Sequence, residues 1–174
     1  WRLVVVDGKP QKIPCVKAWE EAATCDAALI TKWWETWPES GVGSPPDRSG
    51  HVVLDIDDKN GKSGSDALAA LEAAHGATPA TMEVMTGSGG RHLWFKGEGK
   101  NTASKLGIGL DTRGKGGWVA MPDGASYLLL NAGPIAPLPE WIKSDIFAVK
   151  HEERKRLDDA PLDQPVDLER ARRY

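Results

Sequence analysis

His51-Val-Val-Leu-Asp-Ile-Asp57 decides how this chain is read. Its apolar, largely β-branched residues predict a strand that ends in Asp-x-Asp. Side chains alternate along a strand, so Asp55 and Asp57 share a face. Two neighbouring carboxylates repel each other, and a divalent cation is the usual partner of such a pair. A solvated strand end that happens to be acidic is the plain alternative, and Asp-x-Asp alone does not separate the two.

Downstream lies Thr86-Gly-Ser-Gly-Gly-Arg-His92-Leu-Trp-Phe. It reads as a strand, a glycine-rich turn and a second strand that opens with Arg91 and His92. Glycines let backbone N–H groups approach a phosphate closely, although Gly-Ser-Gly-Gly by itself is more often a hairpin loop. A third segment, Gly109-Leu-Asp111-Thr-Arg113-Gly-Lys-Gly-Gly-Trp-Val-Ala-Met-Pro122, supplies another carboxylate, an arginine, a glycine run and an apolar strand. Lys115 is only a nearby charge and is left out of the site. Asp58 extends the acidic run, but alternation puts it on the opposite face and makes it structural.

Taken in order, Asp-x-Asp, Gly-Gly-x-His, Asp-x-Arg-Gly-x-Gly-Gly and a strand ending in proline resemble the bifunctional primase–polymerase (prim-pol) domain. That domain belongs to the archaeo-eukaryotic primase superfamily and is found in phage and plasmid replication proteins. The similarity runs from Lys12-Ile-Pro14, through Trp33-Trp-x-x-Trp37-Pro38, to Leu138-Pro-Glu-Trp141. The chain departs from the pattern twice. Gly90 stands where the family often has serine two residues before the histidine, with Ser88 close by. Gly41-Val-Gly-Ser-Pro-Pro46 is looser than the usual glycine-rich strand and turn.

The resemblance implies an α/β (α+β) fold, an RRM-like sheet-and-helix core with an N-terminal αβ module. It implies DNA primase and DNA polymerase activity, with NTPs or dNTPs as substrates and a primed single-stranded DNA template. It assigns Asp55, Asp57 and Asp111 to two Mg²⁺ or Mn²⁺ ions, which in two-metal sites stand about 3.5–4 Å apart. His92 joins those carboxylates in the catalytic set and also contacts the triphosphate together with Arg113. Ser88 and Arg91 are weaker nucleotide-binding candidates. A fused or associated replicative helicase is the expected partner.

Composition is compatible with this reading. The chain has 174 residues, 40% of them hydrophobic, enough for one domain with a real core. The formal net charge of −3 excludes a generally basic nucleic-acid binder, so DNA affinity must be local. No apolar run is long enough to span a bilayer, and the sequence shows no signal-peptide pattern. Cys15 and Cys25 have no His or Cys partner at metal spacing. They read as reduced thiols of a cytoplasmic protein, without a zinc site. A chain that opens on Trp1 reads as a fragment. Residues 1–148 form the expected catalytic domain, and 149–174 a charged linker with the start of a helical segment. Two other functions use the same residues: a metal-dependent nuclease that attacks with water, and a non-catalytic RRM-like nucleic-acid-binding module.

The remaining pattern predicts strands at 3–6, 51–57, 81–86, 91–96, 117–121 and 126–130, with an extended segment at 12–16. A helix capped by Thr24 carries Ile30, Trp33, Trp34 and Trp37 at i, i+3, i+4 and i+7. That stripe is assigned to the core rather than to base stacking. A second helix is expected at 66–75, with Leu68 and Leu71 inward and Gly76 at its C-terminus. The strands holding Asp55 and His92 can be sheet neighbours, with Asp111 a short reach away.

Overall fold

A computed structural model describes residues 1–61 and 63–144. The charged stretch assigned to a linker, 149–174, lies outside the described residues.

The central strand is β4 (His51–Ile56). Its run of valine, leucine and isoleucine is buried on both faces, as a strand inside a sheet requires. The chain then crosses through α3 (Gly64–His75) to β5 (Glu83–Met85) and returns in β6 (Arg91–Lys96). β6 inserts between β4 and β5 and is antiparallel to both, so β4 and β5 run parallel, one strand apart. β7 (Thr102–Gly107) and β8 (Leu110–Arg113) form a hairpin that adds to the other side of β4. With β10 (Leu128–Asn131) the order is β10-β5-β6-β4-β8-β7, and β11 (Ala136–Pro137) lies beside the end of β6. The stretch β5-β6-β4-β8 is the RRM-like arrangement expected. A strand hairpin stands where an RRM places its second helix.

The two faces of this sheet have different cores. Val52, Leu54, Ile56, Leu93, Phe95 and Leu110 pack with Leu68 of α3 and with Leu138 and Ile142. Val53, Val84 and Trp94 point the other way and pack with Val119, Ala120 and Tyr127. This second face carries the N-terminal module: the hairpin of β1 (Arg2–Val6) and β2 (Lys9–Ile13), α1 (Trp19–Ala22) and α2 (Ala27–Thr36). The module is tied to the rest of the chain where β3 (Gly43–Ser44) pairs with β9 (Val119–Ala120).

Several expectations need correction. The N-cap of α2 is Asp26, whose carboxylate accepts from the Leu29 N–H at 2.8 Å. Thr24 sits two residues earlier, with its hydroxyl accepting from the Asp26 N–H. The stripe of α2 is not core, since neither α1 nor α2 contains a buried residue. α3 starts at Gly64, two residues before the expected start, because Asp58 accepts from both the N–H and the hydroxyl of Ser65 and fixes its first turn. Thus Asp58 is structural, as alternation indicates. The β7–β8 hairpin was not expected. β7 is an edge strand with exposed Ala103, Ser104 and Lys105, so it shows no strand alternation of apolar residues.

Candidate active site

The register of three strands builds the site. Asp55 lies directly opposite His92 of β6 on one side and Asp111 of β8 on the other. Directly opposite residues of antiparallel strands point to the same face. Asp57 follows β4 by one residue and keeps the parity of Asp55. Its backbone is held at both ends: its N–H donates to Gly109 O at 2.8 Å, and its carbonyl accepts from Gly64 N at 3.0 Å. A Cβ on Gly109 would meet Asp57 O at 2.6 Å, so only glycine allows this approach.

The carboxylates are close and partly neutralised. One oxygen from each of Asp55, Asp57 and Asp111 falls in a set spanning at most 4.8 Å. The Arg113 guanidinium bridges two of them, at 2.8 Å from both Asp55 Oδ2 and Asp111 Oδ2. Asp111 Oδ1 also accepts from the Ser104 N–H at 2.8 Å. His92 Nε2 stands 3.5 Å from Asp55 Oδ1, while its Nδ1 is buried without a hydrogen-bond partner among the described residues. Burial alone would raise the Asp55 pKa. The hydrogen bond and charge of His92 and those of Arg113 outweigh it and bring the group to about 2.

A pocket of about 300 Å³ opens beside this cluster, lined by Asp55, Asp57, His92 and Arg113 and by Thr86 and Ser88 of the glycine-rich turn. That turn is tight. A Cβ on Gly90 would lie 2.2 Å from Ile56 O, so the serine common in the family at this position has no room here. Ser88 stands in the pocket instead, its hydroxyl accepting from Lys59 Nζ at 3.1 Å.

One of the weaker nucleotide-binding candidates lies elsewhere. Arg91 is the neighbour of His92 along β6, so alternation turns it to the α3 face, where it pairs with Glu83 at 3.1 Å. It does not reach the pocket. Lys115 does not line the pocket either.

Sequence reasoning missed three pocket residues. Lys59 pairs with Asp57 at 3.0 Å; its place two residues after Asp57 was the available signal. Lys12 reaches in from β2, donates to the Tyr127 hydroxyl and sits 4.5 Å from the Tyr127 ring centroid. Lys12 is exposed as a residue, yet desolvation at its ammonium and the charge of Lys59 lower its pKa, against the pull of Asp55 and Asp57. The Tyr127 ring in turn lies 6.0 Å from that of His92. Lys12 opens the Lys-Ile-Pro stretch where the family resemblance begins, but nothing in its spacing tied it to residues more than a hundred positions away.

The features define a class first: an α+β domain with a carboxylate cluster on the sheet face away from its helix. The family follows directly. Residues 1–141 match the family described as bifunctional DNA primase/polymerase, N-terminal, and the chain belongs to it. Membership makes this a domain of nucleotidyltransferase type. No curated protein sequence matches the chain. Among the described residues, no helix is long and apolar enough to cross a membrane.

The donor set fits the divalent cation such chemistry requires. Three carboxylates offer only hard oxygen ligands, the preference of magnesium and manganese.

Proposed function

We propose that this domain performs template-dependent nucleotidyl transfer, extending a primer on single-stranded DNA from NTPs or dNTPs. The observation that carries the proposal is the register Asp111–Asp55–His92 across three paired strands, with Asp57 at the strand end and a cationic pocket alongside. In the reaction, the primer 3′-oxygen bonds to the α-phosphorus of the incoming nucleotide. The α–β phosphoanhydride bond breaks, and pyrophosphate leaves.

Asp55, Asp57 and Asp111 would hold a pair of Mg²⁺ or Mn²⁺ ions. When bound, these ions supply charge neutralisation at the triphosphate and lower the pKa of the attacking hydroxyl. The chain's own groups do the rest. Arg113 presents a planar fork that suits phosphate as well as carboxylate. Lys59 and Ser88 place an ammonium and a hydroxyl at the glycine-rich turn, and Lys12 closes the pocket from the β2 side. His92 lines the pocket with its Nε2 beside Asp55 and is the candidate imidazole contact to the triphosphate. Three cations around one pocket favour a triphosphate over a simple phosphodiester, the substrate of a nuclease.

The test is incorporation of labelled dNTP on a primed template with Mg²⁺ or Mn²⁺. Wild type extends the primer, and Asp55→Ala/Asp57→Ala falls by about a thousandfold or more, the scale of losing several kcal/mol of transition-state stabilisation. Template degradation without extension would replace this reading with a nuclease.

A further inference from the structure

Six of the chain's eight tryptophans line one groove: Trp1, Trp19, Trp33, Trp34, Trp37 and Trp118. Its volume is about 810 Å³. These side chains are only half-buried, and Trp34 is 38% exposed. Such a surface is not finished packing. α2 presents Ile30, Trp33, Trp34 and Trp37 on one side and has no buried residue.

Three observations say what this groove takes. First, it adjoins the catalytic pocket, because Trp118 lines both. The β3–β9 pairing fixes that junction: Gly43 and Ser44 line the groove, and their partners Val119 and Ala120 line the pocket. Second, the walls are dominated by flat aromatic rings, the surface on which unpaired bases stack whatever their sequence. Third, in a chain of net charge −3, the groove's one charged lining residue among those described is Arg48. Among the described residues, no carboxylate lines it to repel a phosphate backbone.

We propose that this groove binds the unpaired template strand by stacking its bases on the tryptophans, and delivers the strand past Trp118 to the nucleotide pocket. The inference rests on the templated reaction proposed above. It also reverses the assignment of the Trp33–Trp37 stripe to the core.

The experiment is equilibrium binding of a fluorescein-labelled single-stranded oligonucleotide, without divalent metal or nucleotide, followed by anisotropy and by quenching of tryptophan emission. An abasic strand of equal length is the comparison ligand. Wild type binds the base-bearing strand with quenched emission and binds the abasic strand at least about tenfold more weakly. Trp34→Ala loses about tenfold for the base-bearing strand, while Trp34→Phe, which keeps a ring, stays within about threefold. Equal affinity for both strands would overturn the proposal, because binding would then need only phosphates. So would wild-type emission that single strands leave unquenched, or a change from dimer to monomer in Trp34→Ala, which would mark the groove as an interface between copies. Asp55→Ala/Asp57→Ala separates the two readings. If it keeps strand binding, the groove stands whatever happens to incorporation. If wild type incorporates nucleotide but Trp34→Ala binds strands normally, the groove assignment fails and the polymerase reading survives.

Discussion

Asp55 is the residue on which the site's electrostatics turn. Its carboxylate is mostly buried, faces His92 and Arg113, and has a pKa of about 2 against an ordinary 3.8. The folded state therefore binds fewer protons here than the unfolded chain. The associated stability is fully present above about pH 4 and is lost as pH falls through 2, for a total of about 2 kcal/mol. Asp55→Asn should flatten this acid limb. Urea midpoints measured from pH 5 to 2 should fall less steeply for the variant than for wild type. Equal slopes would mean that other carboxylates dominate acid unfolding.

At the scale of elements, what the sequence revealed followed periodicity. β4, β6 and α3 were readable because buried strands and an amphipathic helix leave regular apolar patterns, and the opposition of Asp55 and His92 followed from pairing those strands. The β7–β8 hairpin left no such pattern, so Asp111 was expected only near the cluster, whereas it is paired directly with Asp55. The α2 stripe was regular yet misread. A 3.6-residue period shows that a helix has an apolar side and does not show what lies against it. α2, at most half-buried, offers a test of local stability. Asp26→Ala removes its N-cap, worth about 1 kcal/mol. Because α2 has no buried residue, the loss should stay local. Hydrogen exchange should accelerate about fivefold at the α2 amides and remain unchanged at β4. Equal acceleration in both would show that α2 unfolds only with the whole domain.

The whole molecule divides its labour between the two faces of one sheet. The α3 face is sealed by apolar packing that reaches as far along the chain as Ile142, which is fully buried. Ile142→Ala should cost about 2–5 kcal/mol in urea unfolding, and a loss below 1 kcal/mol would remove the end of the described chain from the core. The other face carries the carboxylates, the pocket beside them and the aromatic groove. Because Asp55 needs one neighbour on each side, a slip of β4 by a single residue against either strand would turn it from its partner and invert the apolar faces as well. Chemistry and packing thus share one alignment. On the proposed reading, a wrongly registered chain would lose the carboxylate cluster together with its core, so incorporation would count only correctly folded molecules. During refolding, activity and core protection should return together, molecule by molecule.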